Sequence, residues 1–358
     1  MDFGSGKTPA PFLRCVIMLH HLHPSFGRLP DRRDLTRSPQ FDPAKGRFVN
    51  PVATDAMNLG RLPEVLGRQI KGGQERTPPS PWTFAEAQRE RLAPTGVQVN
   101  WLGHASVLLH IEGHYYLTDP VLTERAAPFP WLGPARFFPS PIALDDMPPL
   151  QAILLSHDHY DHLDYETMLV LQGRTQDFVV PLGVDAHLRH WGVDPARIQV
   201  LDWGETATSG PLRITATPAR HFSGRGMVRD QSLWASYVLD SGTHKVYFGG
   251  DSGIFPGYRE IGTAHGPFDL CIMPIGAYDP AWHDIHLNPE EAVAAFQDLG
   301  GGTFLPIHWG TFNLALHSWH DPIDRLCEAL APEARLLPAP GTWVRPDDRP
   351  TGRWWTQA

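Results

Sequence analysis

Residues 156–164 read SHDHYDHLD, three histidines and three aspartates in nine positions. They follow the apolar run Ala152-Ile153-Leu154-Leu155, which reads as a short buried strand. His157 and His159 are two apart, so an extended backbone points both imidazoles the same way, and Asp161 and His162 follow across a turn. Polar groups at the end of a buried strand are unfavourable unless they find partners, and a divalent cation satisfies several at once. A surface loop that is merely rich in His and Asp has no reason to be matched elsewhere in the chain. Here it is matched: His221 follows the strand ending at Thr217, Asp251 follows VYFGG, and His308 follows FLPI.

Five imidazoles and two carboxylates are too many for one zinc ion and suit two ions about 3.5–4 Å apart. The expected division gives His157, His159 and His221 to one ion and Asp161, His162 and His308 to the other, with Asp251 bridging. Three terminal ligands and a shared bridge leave positions open for solvent, where a structural zinc would be closed by four ligands. Such a centre lowers the pKa of water from about 15.7 toward roughly 7 and stabilises charge developing on an anionic substrate, so a bridging hydroxide is the expected nucleophile. Asp161 and Asp251 carry the catalytic assignment with the metals. Zinc is the default for this donor set, with iron or manganese as alternatives of the same ligand type. The three cysteines, Cys15, Cys271 and Cys327, form no CxxC pair, so the sequence indicates neither a thiolate cage nor a disulfide framework.

The elements that must position these groups alternate from Val97 onward. Strands are expected at Val97 to Trp101, Ser106 to Ile111, His114 to Thr118, Ala152 to Leu155, Phe178 to Pro181, Ile198 to Leu201 and Leu212 to Thr217. Further strands are expected at Leu233 to Leu239, Lys245 to Phe248, Leu270 to Pro274 and Thr303 to Ile307, with an edge strand at Thr342 to Arg345. Helices are expected at Tyr165 to Leu171, Val184 to His190, Pro289 to Leu299 and Asp321 to Leu330, the third opened by an Asn288 cap with Glu291 reaching back. Many strands interrupted by a few helices argue for two sheets with helices outside, a four-layer αβ/βα sandwich of the α/β class. Residues 1–95, rich in Pro, Arg and Gly, read as an irregular N-terminal arm with one short helix near Leu62 to Gln69, packing on a hydrolase domain at 96–358.

At 358 residues, with 42% hydrophobic and 19% charged residues, the chain reads as a soluble globular protein with a sizeable core. The apolar run at Cys15 to Leu19 is too short for a signal-peptide core, and a cytoplasmic protein is expected. A formal charge of −9 and the lack of a basic tract argue against a nucleic-acid partner. The His20-His21-Leu22-His23 cluster reads as solvated.

The stretches SHDHYDHLD, TPARHFSGRG, FGGDSG and PIHWGTF resemble the metal-binding motifs of the metallo-β-lactamase fold superfamily. Within it, WLGHASVLL, LTDPVL, GPARF, IGAYDP, NPEEAV and HWGTF resemble the N-acyl phosphatidylethanolamine-hydrolysing phospholipase D family. The likeness covers Arg47 to Pro51 and about Asn100 to Pro322. It implies two zinc ions on the seven residues above, hydrolysis of a phospholipid between phosphate and the N-acylethanolamine group, and phosphatidic acid as the other product. It also implies members that associate with membranes and form homodimers. Residues 1–46 and 52–95 carry none of these motifs, and Trp282 to His286 aligns loosely.

His286 matches a histidine that the family places near the metals. Two roles are open to it, contact with the substrate phosphate or leaving alkoxide, and a plain hydrogen bond within its loop. Asp119 reads as a carboxylate that orients a ligand histidine or a loop amide. His104 reads either as lining the pocket or as a structural histidine. Tyr160 and Tyr278, inside the motifs, belong with them as substrate-side or orienting residues. The aromatic, proline-rich stretch 126–143 reads either as a packed loop or as a rim meeting lipid through Phe129, Trp131 and Phe137, with Arg125 or Arg136 near headgroups. The leading function is a dinuclear phosphodiesterase of phospholipase D type; a lactonase or other ester hydrolase uses the same centre. A metal-stabilised interaction module and a nuclease are the weaker readings.

Overall fold

The computed structural model describes residues 23–84, 92–226, 228–348 and 352–357. Cys15, His20 and His21 lie outside them. The arm is more regular than its sequence suggests. It forms a short helix α1 (Arg32–Leu35), a two-residue hairpin β1 (Phe41–Asp42) and β2 (Arg47–Phe48), and helix α2 (Leu62–Lys71). Leu35, Phe41 and Phe48 are buried with Leu182, Leu233 and Trp234 of the main body, which stabilises a hairpin too small to persist alone. Further along, Trp82 is buried against Phe138, Trp319 and Trp354.

The main body then runs β3 (Val97–Gly103), β4 (Ser106–Ile111), β5 (His114–Thr118), β6 (Leu150–Leu154), α3 (Tyr165–Leu171), β7 (Thr175–Pro181), α4 (Asp185–His190) and β8 (Ile198–Leu201). It continues with β9 (Thr206–Ser209), β10 (Leu212–Thr217), β11 (Ser236–Asp240), β12 (Lys245–Phe248), α5 (Gly257–His265), β13 (Leu270–Pro274), α6 (Pro289–Asp298), β14 (Thr303–Ile307), α7 (Asp321–Ala329) and β15 (Trp343–Val344). A seven-stranded sheet has the order β15-β3-β4-β5-β6-β7-β8, and a six-stranded sheet has the order β14-β13-β12-β11-β10-β9. In each, an antiparallel portion gives way to a parallel one, at β5/β6 in the first sheet and at β12/β13 in the second.

Alternation along the strands builds the layers. Leu109, Leu154 and Val179 of the first sheet share one apolar cluster with Ile214, Tyr237 and Leu239 of the second. Their sequence neighbours Leu108, Ile153, Phe178 and Val180 face outward and are covered by Met168 and Leu171 of α3 and Leu188 of α4. With Ala292, Val293 and Phe296 of α6 and Leu326 of α7 in the other cluster, the result is the four-layer sandwich. The α6 cap is reciprocal: Asn288 Oδ1 accepts from the Glu291 amide at 2.9 Å, and the Glu291 carboxylate accepts from the Asn288 amide at 3.1 Å.

Three differences from the sequence expectation have simple causes. Leu233 to Ala235 is not strand, because the Leu233 and Ala235 amides donate sideways to Leu182 and Ser156 carbonyls before β11 begins. Strand β9, Thr-Ala-Thr-Ser, has no large apolar residue to announce it, and pairs with β10 through small buried groups. Helix α5 carries two glycines but is held by buried Tyr258 and Ile261.

Candidate metal centre

Strand direction explains why distant residues meet. In the first sheet β3, β5 and β6 run the same way, and in the second β10, β12, β13 and β14 do. Their carboxyl ends deliver His104 after β3, Asp119 after β5, His157 to His162 after β6, His221 after β10, Asp251 after β12 and His308 after β14. Several of these ends turn abruptly: His104, Asp119 and His308 have φ of 52°, 33° and 65°. Non-glycine residues rarely occupy that region, and they cluster at sites that fix it from outside. The His308 amide is held by the His104 carbonyl at 3.0 Å, and a Cβ on Gly276 would lie 2.0 Å from the His308 carbonyl oxygen.

Two groups of donor atoms converge. Nε2 of His157 lies 2.8 Å from Nδ1 of His159, which lies 3.4 Å from Nε2 of His221. Nε2 of His162 lies 3.2 Å from Nε2 of His308, with Oδ2 of Asp161 3.6 Å from each. Asp251 touches both groups, since its Oδ2 is 3.2 Å from His162, 3.1 Å from His308 and 3.7 Å from His221. All seven residues named from the sequence are thus brought together, with Asp251 beside members of both groups.

Orienting contacts set which nitrogen faces inward. Nδ1 of His162 donates to Asp119 at 2.7 Å, and Nδ1 of His221 donates to the Ile285 carbonyl at 2.9 Å, so both turn Nε2 into the site. Asp119 also accepts from the Ser156 amide at 2.7 Å, which is the orienting role expected of it. His104 Nε2 meets Asp161 Oδ2 at 3.0 Å, and its ring lies 4.0 Å from that of His308. His104 therefore supports Asp161 and His308 rather than lining open space. The other two aspartates of the 156–164 stretch serve structure. Asp164 caps α3 through the Thr167 amide, and Asp158 turns away to accept from the Gly224 amide, Ser232 Oγ and His187 Nε2.

The electrostatics of this cluster call for cations. Burial alone would push the Asp251 carboxyl up, yet the His162 and His308 imidazoles in contact hold it well below the usual carboxylate range. Burial likewise opposes charge on His308, but Asp251 and Asp161 raise it to about 9. His157 and His221 go the other way, pushed well below 6.5 by burial. Two carboxylates, Asp251 buried and Asp161 partly so, therefore demand positive charge, while the inward nitrogens on the far side keep free lone pairs. Oδ1 of Asp251 and Nδ1 of His286 and His308 are buried with no hydrogen-bond partner. Divalent cations fit this donor set, taking the lone pairs and replacing the protons.

His286 stands at the edge, its Nδ1 3.8 Å from Asp251 Oδ2 and its ring 5.2 Å from that of His221. Burial pushes its imidazole down to about 4. Tyr278 lies farther out beside a cleft that also includes His286. Tyr160 turns from the centre, its ring covered by the Arg225 guanidinium at 4.2 Å. Arg225 is a site-supporting residue that the sequence reading did not single out. Buried to 2% exposure, it donates to the carbonyls of Ser25, Asp158 and Leu163 and so ties the arm to the metal loop.

The 126–143 stretch has a mixed character. Trp131 and Leu132 are 72% and 48% exposed, but Phe137 is buried. Arg136 is not available to headgroups, because its guanidinium donates to the carbonyls of Phe138, Val121 and Leu102. Arg125 donates to the Gly133 carbonyl within the same loop. Cys271 and Cys327 are free thiols, as expected. No helix among the described residues is long and apolar enough to cross a membrane.

The family description "Beta-lactamase superfamily domain" matches residues 114–309. An uncharacterised protein of Mycobacterium tuberculosis is 43% identical over 309 residues, covering 84% of this chain and 83% of that one. The N-acyl-phosphatidylethanolamine-hydrolyzing phospholipase D 1 of Caenorhabditis elegans is 34% identical over 250 residues, covering 66% of this chain and 70% of that one. Among solved structures, the isothiocyanate hydrolase from Delia radicum gut bacteria superposes with a TM-score of 0.56 at 20% identity, covering 69% of this chain and 98% of that one. That last likeness concerns the fold. With a metal-ready cluster at the carboxyl ends of two facing sheets and these relatives, the chain belongs to the metallo-β-lactamase superfamily and is a metal-dependent hydrolase of that fold, resembling the N-acyl phosphatidylethanolamine-hydrolysing phospholipases D.

Proposed function

We propose that the protein is a dinuclear phosphodiesterase of phospholipase D type. Its substrate is N-acyl phosphatidylethanolamine or a related glycerophospholipid, and its products are phosphatidic acid and the N-acylethanolamine or corresponding alcohol. The observation that carries this reading is the position of Asp251 between two clusters of imidazole nitrogens, within 3.1–3.7 Å of His162, His308 and His221. A shared carboxylate of that kind suits two ions, and the imidazole and carboxylate donors suit zinc, with iron and manganese as alternatives. The similarity to the C. elegans phospholipase supports the substrate class.

When bound, two such ions supply Lewis acidity, lowering the pKa of water in the site toward roughly 7 and offsetting charge on the phosphate oxygens. The chain's own groups do the rest. His157, His159 and His221 would hold one ion, Asp161, His162 and His308 the other, with Asp251 shared. Asp119, His104, Ser156 and the Ile285 carbonyl keep those donors aimed. His286, neutral and at the edge, is placed to hydrogen-bond the leaving oxygen as the P–O bond breaks. Exposed Trp131 and Leu132, with Leu66 and Ile70 of α2, support presentation to a lipid surface at the rim.

The test is a product assay on N-acyl phosphatidylethanolamine with metal-analysed protein, run beside a glycerophosphodiester panel and an acyl lactone. Phosphatidic acid released in step with metal content is the expected result. Turnover of the lactone alone would replace this reading with the ester-hydrolase one.

A further inference from the structure

The turn that carries His308 rests on tryptophan. Trp309, which follows it and is buried, stacks on Trp101 with ring centroids 5.4 Å and planes 16° apart. Nε1 of Trp101 donates to the His104 carbonyl at 2.9 Å, the same oxygen that accepts from the His308 amide at 3.0 Å. The His104 amide donates to Thr311 Oγ1 at 2.7 Å, and that hydroxyl donates to the Trp309 carbonyl at 3.0 Å. Two turns with left-handed histidines are thereby fastened to each other, and such backbone persists only where its surroundings over-determine it.

These turns serve one group of donors. The His104 carbonyl holds the His308 backbone, and the His104 side chain meets Asp161 Oδ2 at 3.0 Å. Both residues belong with His162. The rest of the support comes from the far end of the chain. Trp354 lies 5.4 Å from Trp309 and 6.0 Å from Trp101, and Trp355 meets Trp309 edge-on at 5.8 Å. Trp355 is 1% exposed, and its Nε1 donates to Asp324 of α7 at 3.3 Å. Trp82 and Phe84 of the arm meet Trp354 at 5.2 and 5.4 Å. Ring pairs in these geometries attract beyond the area they bury. The other donors are held separately, His157 by Ser156 Oγ at 2.8 Å and His221 by the Ile285 carbonyl.

We infer that Trp354 and Trp355 are positioning residues for the ion that Asp161, His162 and His308 would hold. The inference rests on the dinuclear reading of the site. The two indoles confine Trp309, the stack on Trp101 confines the His308 turn, and the shared His104 carbonyl ties that turn to the residue that supports Asp161. Without them the turn is free to leave its left-handed conformation and carry the His308 ring out of place. His157, His159 and His221 keep their own supports. The C-terminal segment thus sets the affinity for one ion and not for the other.

Zinc bound per full chain, measured against free zinc set by a chelator buffer, tests this. The parent is expected to bind two equivalents, and His308→Ala identifies the one that depends on His308. Trp354→Leu and Trp355→Leu should weaken that equivalent at least tenfold and leave the other within twofold, with thermal unfolding of the metal-free proteins reporting that they are folded. Trp354→Phe, which keeps a ring against Trp309, should return most of the affinity. Trp101→Phe, which keeps a ring but not the donor to the His104 carbonyl, should weaken the same equivalent alone. Equal weakening of both equivalents in the folded variants, or no change in either, would overturn the positioning role and leave the dinuclear reading standing. A parent that binds one ion would overturn both.

Discussion

Asp119 accepts the Nδ1 proton of His162 at 2.7 Å, with both side chains fully buried. This single bond fixes the tautomer that turns Nε2 toward Asp251 and His308, and carboxylate partners of this kind commonly raise ligand basicity. Asp119→Asn keeps the shape and one acceptor oxygen but replaces the other with an NH2 donor and removes the charge. It is expected to weaken metal retention about 10–100-fold, read by chelator competition, with turnover restored at high metal concentration. Unchanged affinity would show that the bond serves packing alone.

Arg225 makes a second dependence, between the arm and the metal loop. Its guanidinium donates to Ser25, Asp158 and Leu163 carbonyls, and the Trp191 indole beside it donates to the Pro24 carbonyl. Arg225→Ala leaves buried carbonyls unpaired and is expected to cost about 3 kcal/mol or more in urea denaturation. Arg225→Lys, which keeps charge but not the fork, should recover only part of that stability and still lose metal faster than the parent. Equal metal-loss rates for parent and Arg225→Lys would remove the link between arm and site.

The arm is also tied down by Arg37 and Glu205, 2.5 Å apart. The hydrogen bond from Arg37 lowers the Glu205 carboxyl, with burial opposing. A depressed carboxyl contributes stability that is present above the unfolded value of about 4.3 and is lost as pH falls through its folded value. Glu205→Gln should therefore be slightly less stable than the parent at pH 7, by under about 0.5 kcal/mol at this exposed pair, and equal to it in acid. Thermal melts from pH 3 to 7 check this; a difference that grows toward acid would contradict it.

The exposed apolar side chains separate lipid binding from chemistry. Ile70 is 86% and Trp131 72% exposed, so neither contributes much to the core. Ile70→Ser with Trp131→Ser is expected to lower vesicle co-sedimentation severalfold and hydrolysis of vesicle lipid with it, while kcat/KM on a monomeric short-chain diester stays within about twofold. Phe137→Ser, by contrast, opens a cavity in the buried cluster and should destabilise the fold by about 3 kcal/mol. Unaltered co-sedimentation of the double variant would dismiss the surface role.

Much of the centre was legible in sequence because its ligands are polar residues in the short segments that follow apolar strands. That pattern is local: His157 to His162 after β6, Asp251 after β12 and His308 after β14. Parallel strand direction then brings those ends together, and a two-sheet fold leaves few alternatives. What sequence could not show depends on contacts between distant segments. Arg225 is one more arginine until Ser25 arrives beneath it, and Arg136 reads as a surface cation until three carbonyls surround it. The arm reads as irregular because Leu35, Phe41 and Phe48 follow no helical or strand period, yet all three are buried.

Metal stoichiometry against activity bears most directly on the central claim. Protein stripped with a chelator and titrated with zinc should bind two equivalents per chain, with hydrolysis of the phospholipid diester rising as the sites fill and with His308→Ala and Asp251→Ala losing it. Full activity in metal-free protein, or an unaltered metal count in both variants, would contradict the account.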